Sequence, residues 1–291
     1  MESIRLKAMA KVNLGLDVVG KRPDGYHEVR MIMQNIKLFD QVFISKRKDN
    51  EIRIRTNLPF LPVNENNIAY KAARMLQQEF HLEQGVDIEL KKHIPVAAGM
   101  AGGSSDAAAV FYGMNRLFRL DLNRTELMER GVLLGADIPY CLLRGTALSE
   151  GIGEKLSSLP PLPPCHILIG KPGISVSTKF VYENLDLSKI GRHPDIDGMV
   201  KALNHGDLNG ISSRMENVLE TVTVQKYPVI RQIKEAMLSQ GALNALMSGS
   251  GPTVFGIFDD QGKAQRAYRI LKEGTLAKQV FLTNPFRSGG Q

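Results

Sequence analysis

Lys11 and Asn13 stand two apart on a stretch that reads as strand. A period of two puts both on one face, opposite Val12 and Leu14, and Asp17 shares that parity. A lysine beside an amide can hold a hydroxyl or a phosphate oxygen. The same alternation also describes polar residues that simply face water. Further along, Asp137 stands alone among small and apolar neighbours in Gly135-Ala136-Asp137-Ile138-Pro139-Tyr140-Cys141. A carboxylate in such company must be paired, hydrogen-bonded or shifted in pKa. Ion-paired with Lys11, it stays ionised and able to take a proton from an alcohol. A helix cap or a structural ion pair accounts for it equally well. Tyr26 offers a stacking surface and His27 a hydrogen-bonding edge just after the turn Lys21-Arg22-Pro23-Asp24-Gly25, and Tyr182 stands near Thr178 in Ser177-Thr178-Lys179-Phe180-Val181-Tyr182. Each of these is also an ordinary half-buried feature.

These groups gain meaning from the stretch Ile94 to Ala109, a run of small residues that turns into a helix-forming sequence. Glycine and alanine let a backbone approach a ligand closely, and glycine adopts left-handed conformations freely. Ser104, Ser105 and Asp106 are expected to cap the helix. Ala107, Ala108 and Ala109, then Phe111, Met114, Leu117 and Phe118, give it an apolar side. A helix start is positive because its first N–H groups have no partner within the helix. A glycine-rich loop feeding such a start suits a phosphate, although small residues before a helix also make plain tight turns. The sequence holds no Gly-x4-Gly-Lys-Ser/Thr, HExxH, paired CxxC or GxSxG, which removes the commonest ATPase, zinc-hydrolase and α/β-hydrolase readings.

The elements that must position these residues follow from periodicity. Residues 3–19, 29–36, 41–45, 51–55 and 86–91 alternate as strands, and 66–80 is helical with Ala69, Ala72, Ala73, Leu76 and Phe80 on one side. Leu159-Pro160-Pro161-Leu162-Pro163-Pro164 resists helix and central strand alike, so a domain junction is placed there, giving domains 1–160 and 161–291. The second half opens with a strand at 166–170. Helices are expected at 178–184, 196–204, 226–240 and 260–273, and a small-residue turn, 247–253, runs into a strand at 254–258. Strands first, then helix, strand, loop and helix, give an α+β class. The 291 residues suit one large domain or two ordinary ones, with 43% hydrophobic and 23% charged residues.

The formal net charge of +7 points to an anionic partner. The basic runs Lys46-Arg47-Lys48 and Lys91-Lys92 are short, lack interleaved aromatics and read as solvated faces. A small anionic molecule therefore fits better than nucleic acid. Cys141 and Cys165 are far apart and set in apolar surroundings, so buried free thiols in a reducing compartment are expected. With no signal-peptide core and no membrane-length apolar run, a cytoplasmic location is expected.

Taken together, Pro95 to Ala108 and Ser248-Gly249-Ser250-Gly251-Pro252-Thr253 resemble the two glycine motifs of the GHMP kinase superfamily, enzymes that phosphorylate small alcohols. Ala10-Lys11-Val12-Asn13-Leu14-Gly15-Leu16, Arg22-Pro23-Asp24-Gly25-Tyr26-His27 and Gly135-Ala136-Asp137-Ile138-Pro139 resemble a branch acting on a cytidine-diphosphate-bearing polyol of the non-mevalonate isoprenoid pathway. Mevalonate and homoserine kinases share the glycine-rich loop but not the segment seen here at Arg22-Pro23-Asp24-Gly25-Tyr26-His27. The alternatives are phosphorylation of one of their alcohols, or a non-catalytic ligand sensor of the same fold. The resemblance implies a mixed α/β N-terminal half and a ferredoxin-like C-terminal half. It implies Asp137 as base, Lys11 orienting it and stabilising charge, and Asn13 positioning the polyol. Tyr26 and Tyr182 would sandwich the cytosine, His27 would read its edge, and Thr178 would join the substrate site. ATP phosphates would lie along Pro95, Ala97, Gly99, Met100, Ala101, Gly102, Gly103, Ser104 and Ser105, with Asn64, Asn66 and Lys91 toward the adenosine. Mg2+ would accompany ATP, with a hydroxyl from Ser104 or Ser105 available to it. A monomer or a homodimer fits equally. One departure is Ala101, where many members have glycine; alanine resists a left-handed backbone.

Overall fold

In the computed structural model, residues 1–287 of the chain are described. The chain orders its elements as β1 (Ser3–Lys21), β2 (His27–Lys46), β3 (Ile52–Thr56), α1 (Ile68–Glu79), β4 (Val86–Lys91), α2 (Gly102–Phe118), α3 (Arg124–Val132) and α4 (Ile138–Leu143). There follow β5 (Thr146–Gly151), β6 (Lys155–Leu159), β7 (His166–Lys171), α5 (Thr178–Glu183), α6 (Ile196–Asn204), α7 (Leu208–Ser212), α8 (Glu220–Lys226), α9 (Val229–Ser239), β8 (Asn244–Met247), β9 (Val254–Phe258), α10 (Gln261–Glu273) and β10 (Gln279–Thr283). The two strands expected at 29–36 and 41–45 are one long strand, β2. The helix expected at 226–240 is α9, which starts only at Val229; Tyr227-Pro228 separates it from a further helix, α8, because proline lacks the N–H a continuing helix needs and disfavours the helical region for the residue before it.

Contacts divide the chain into two compact units. One holds residues 1–10, 38–96 and 101–143; the other holds 11–37, 97–100 and 144–291. β1 and β2 each contribute residues to both. The proline segment 159–164 lies within the second unit, between β6 and β7.

In the first unit β2 pairs antiparallel with β4, Gln41 opposite Lys91 and Phe43 opposite Glu89, and β3 runs parallel to β4. Asn67 starts α1 by accepting the Ala69 N–H at 3.0 Å. The inward residues of α1 include Ala69, Ala72, Ala73 and Leu76, all fully buried, and the small alanines let α1 lie close along α2. α2 in turn presses on β2: a Cβ at Gly113 would stand 2.4 Å from the Ile44 side chain.

In the second unit β2 pairs antiparallel with β5, and β5 with β6. A four-stranded antiparallel sheet has the order β10-β7-β9-β8. Followed along the chain as β7, α9, β8, β9, α10, β10, this is the ferredoxin-like arrangement. Side chains of α9 (Ile233, Met237) and α10 (Leu271) converge on Gly170 of β7 and close the core. Both cysteines are buried and outside any disulfide, as expected. Among the described residues no helix is long and apolar enough to cross a membrane.

Candidate active site

The phosphate-loop candidate has an unusual backbone. Ala97, Gly99 and Ala101 have φ of +49°, +69° and +55°, while Ala98 and Met100 between them do not turn positive. Residues of alternating hand turn successive N–H groups toward one side and form a concave nest for an anion. The loop runs directly into α2, which begins at Gly102 with Ala101 as its left-handed N-cap and no side-chain hydrogen bond to cap it. The expected capping by Ser104, Ser105 and Asp106 is therefore corrected: all three lie inside the helix. Ser105 is buried and donates its hydroxyl to the Met9 carbonyl at 2.8 Å, so that hydroxyl is spent on structure rather than turned to a ligand. Ser104 stays half-buried. A helix start without a side-chain cap keeps its N–H groups for a ligand. Ala101 does take the left-handed conformation that alanine resists.

Within the second unit the loop is seated on the small-residue turn at 248–253. A Cβ at Gly99 would stand 2.1 Å from the Ser248 carbonyl oxygen, and the Ser248 hydroxyl donates to the Gly99 carbonyl at 2.9 Å. The Lys11 N–H donates to the Met100 carbonyl at 3.2 Å. Lys11 and Asn13 do not face water, as alternate polar residues on a strand usually do. β1 is buried on both faces from Ala8 to Val18, with Lys11 at 4% and Asn13 at 0% exposure. The Lys11 Nζ donates to the Asn13 Oδ1 at 2.7 Å, and the Asn13 Nδ2 approaches the Met31 sulfur at 3.2 Å. An ammonium and an amide buried together and hydrogen-bonded on a strand are a paired polar couple rather than a solvated face.

The same unit holds the residues expected at the cytosine end. The ring that meets Tyr182 is that of His27, with centroids 5.1 Å apart and planes tilted by 38°. Tyr26 is 59% exposed, its N–H held by Asp24 at 3.1 Å. Burial, then the charge of Lys21, lowers the His27 pKa, which keeps its ring neutral and able both to donate and to accept near neutral pH. Thr178 shares a 2.8 Å hydrogen bond with Ser250 of the glycine turn.

The first unit holds Pro95, Ala101 to Ser105, Asn66, Lys91 and Asp137. Pro95 is buried. Gly103 lies against Ile68, where a Cβ would stand 3.6 Å from that side chain. Asn66 is exposed, its N–H on the Asn64 Oδ1 at 3.0 Å. Asp137 stands half-buried just before α4, and its carbonyl accepts the Cys141 N–H at 3.1 Å. Lys91 is exposed, 3.8 Å from Glu89, and lines a 350 Å³ cavity with Arg55, Thr56, Asn57, Glu89 and His93.

Lys92, expected on a solvated face, is instead buried in an ionic cluster. Its Nζ contacts Asp40 and lies 2.5 Å from Asp106. Asp40 also accepts the His93 and Ile94 N–H groups, at 2.5 and 2.8 Å, just ahead of the loop. The ammonium lies 3.5 Å from where a Cβ at Gly102 would be, directly behind the loop's exit. Burial, opposed by Lys92 and reinforced by Asp40, pushes the Asp106 carboxyl up to about 7. The two carboxylates outweigh burial and hold Lys92 above its ordinary value. Asp106 Oδ1 has no hydrogen bond among the described residues. Asp40 and Lys92 are 52 residues apart, and only the β2–β4 register brings them together. Arg47 of the other basic run is likewise paired, with Asp49 and Asp87.

A loop of alternating hand before an uncapped helix, a buried lysine–asparagine pair on the first strand, and a ferredoxin-like second half define a small-molecule kinase architecture. Residues 67–145 match the GHMP kinase N-terminal domain, and residues 199–275 match the GHMP kinase C-terminal domain. The chain is 59% identical to a 4-diphosphocytidyl-2-C-methyl-D-erythritol kinase of Lachnoclostridium phytofermentans, over 99% of each chain. It is 56% identical to the kinase of that name from Lachnospira eligens, over 98% of this chain and 99% of the relative. A crystal structure of 4-(cytidine 5'-diphospho)-2C-methyl-D-erythritol kinase superposes with a TM-score of 0.84 at 31% identity, covering 99% of this chain and all of the other. The chain thus belongs to the GHMP kinases, and among them to the 4-diphosphocytidyl-2-C-methyl-D-erythritol kinase family.

Proposed function

We propose that the protein transfers the γ-phosphoryl of ATP to the 2-hydroxyl of 4-diphosphocytidyl-2-C-methyl-D-erythritol. The observation that carries this reading is the run of alternating positive-φ residues at 97–101 that leads along the chain into the uncapped start of α2. It offers fixed N–H donors to an anion, and such donors cost no reorganisation as charge develops during transfer. Near-full-length identity to kinases of that name supports the choice of acceptor.

In this reading residues Pro95 to Ser104 cradle the nucleotide phosphates, and the Ser105 hydroxyl serves structure. Lys11 stabilises charge on the transferring group and orients Asp137, which takes the proton from the substrate hydroxyl. Asn13, held by Lys11, positions the methylerythritol portion. Tyr182 and Tyr26 flank the cytosine, the neutral His27 reads its edge, and Thr178 closes that end. Asn66 and Lys91 lie toward the adenosine. Mg2+ would neutralise phosphate charge. Among the described residues no cluster of three or more His, Cys, Asp or Glu could hold a metal; in this reading the ion is bound with the nucleotide's phosphate oxygens, with Ser104 the hydroxyl at hand. Two buried thiols outside any disulfide fit a cytoplasmic setting.

The test is a coupled ADP-release assay with the cytidylyl substrate, homoserine and mevalonate offered separately with MgATP. Turnover of the cytidylyl compound alone is expected. Turnover of homoserine or mevalonate in its place would overturn the specificity, and ATP-independent binding without turnover of any alcohol would favour a ligand sensor.

A further inference from the structure

The turn at 247–251 on which Gly99 rests has positive φ at both Gly249 and Gly251, and it is closed by the Gly251 N–H on the Ser248 carbonyl and the Ser248 N–H on the Thr253 carbonyl, each at 2.9 Å. It is anchored from outside by a short segment that carries no glycine motif, Asn217-Val218-Leu219-Glu220. Asn217 is 3% exposed, and every polar atom of its side chain is engaged. Its Nδ2 donates to the Met247 and Gly249 carbonyls, each at 2.8 Å, and its Oδ1 accepts the Leu219 N–H at 3.0 Å. Glu220 Oε1 accepts the Met247 N–H at 2.7 Å, and its Oε2 pairs with Lys234 of α9. The two side chains thus hold both polar groups of Met247 and the next carbonyl but one. On the other side the same segment is joined to β1: the Leu16 N–H donates to the Glu216 carbonyl at 2.9 Å, and the Val218 N–H to the Leu16 carbonyl at 3.0 Å. A continuous set of hydrogen bonds therefore runs from the strand of Lys11 and Asn13, through Asn217, to the turn and on to Gly99 by way of Ser248.

We infer that Asn217 and Glu220 are positioning residues of the phosphate loop, acting through the 247–251 turn. They touch no substrate in this assignment. Their effect is geometric: Gly99 has no Cβ because the Ser248 carbonyl occupies its place, so a displaced turn displaces the nest. The inference rests on the proposal that the nest binds the phosphates of ATP.

Glu220 separates this role from plain stabilisation, because one oxygen holds the turn and the other holds an ion pair. Glu220→Ala removes both. Glu220→Gln keeps an oxygen for the Met247 N–H but loses the charge, and Lys234→Met removes the ion pair alone. In steady-state assays the KM for ATP is expected to rise about tenfold or more in E220A, since displacements of an ångström in a reacting site carry penalties of that order. E220Q is expected to restore it, and K234M to keep it within twofold of wild type. Glu220→Asp retains the charge but withdraws the oxygen by one methylene, and the same rise is expected of it, so a poorly folded E220A does not end the test. An unchanged ATP KM in E220A or E220D, or an equal rise in E220Q and K234M, would overturn the inference. Failure of the wild type to show saturable dependence on ATP would instead sink the underlying reading, and the inference with it.

Discussion

Replacing Asp106 by asparagine probes the buried cluster behind the loop. Burial, which disfavours its charge, pushes the wild-type carboxyl up to about 7 from an ordinary 3.8. A raised acid pKa means that the folded chain holds a proton the unfolded chain has lost between those two values. Stability therefore falls as pH rises through that window, up to roughly 4 kcal/mol if the whole displacement is expressed. Between pH 5 and pH 8 the share lost is roughly 2–3 kcal/mol by the same relation. Asparagine is close in shape, cannot ionise, and still offers an oxygen to Lys92. It also brings two N–H donors to the place where Asp106 Oδ1 lacks a partner, a fixed cost of roughly 1–3 kcal/mol that does not vary with pH. The diagnostic is the slope rather than the offset. Urea unfolding of both proteins at pH 5, 6, 7 and 8 should show the wild type losing stability relative to Asp106→Asn by roughly 2–3 kcal/mol across the series. A gap that stays constant from pH 5 to pH 8 would refute the argument, because it would mean that Asp106 is ionised in the folded chain throughout, as it is in the unfolded one.

Asp137→Ala should lower kcat by roughly 10²–10⁴-fold while ATP still binds, as measured by steady-state kinetics and nucleotide titration; activity within tenfold of wild type would remove it from the base role. Ala101→Gly should relieve a left-handed alanine worth about 1–2 kcal/mol, partly offset by roughly 0.4–1 kcal/mol of added unfolded-state entropy. Denaturant midpoints should then show a net gain of up to about 1 kcal/mol, and a clear loss would contradict the strain. Gly99→Ala should abolish turnover in the ADP-release assay, since its Cβ meets the Ser248 carbonyl at 2.1 Å and its φ of +69° suits glycine; near-normal turnover would show that the loop and turn move apart freely.

Much of this architecture is readable from residue order alone, because it depends on local rules. The period of two on β1 identifies Lys11 and Asn13 as neighbours on one face, and the small residues at 95–103 announce a loop of unusual backbone. α6 falls at its expected limits, since Asp195 caps it through the Gly198 N–H and its apolar face repeats regularly. Other features needed only closer reading. Asn123 and Glu126 form a capping box that opens α3, and Pro228 marks the break between α8 and α9. What residue order could not supply is burial from both sides. Alternation on β1 suggests one wet face, yet neighbours cover both. Lys92 looks like half of a solvated pair until strand register sets it between Asp40 and Asp106. The serines and Asp106 look like caps because capping residue types also serve inside a helix, where Ser105 reaches Met9 instead. Asn217 and Glu220 carry no motif of their own, and their role exists only through the turn they hold.

The alternating handedness of residues 97 to 101 has a consequence for drug resistance. Amide hydrogens belong to every residue, so an inhibitor that mimics the anion and fills that hollow makes its key contacts to the main chain. Replacing a side chain cannot delete such contacts. Escape would require altering the path of the polypeptide itself, and at residue 99 any larger amino acid collides with the neighbouring strand-end carbonyl. Resistance would have to arise elsewhere, in the parts of a compound that reach past the loop toward ordinary side chains.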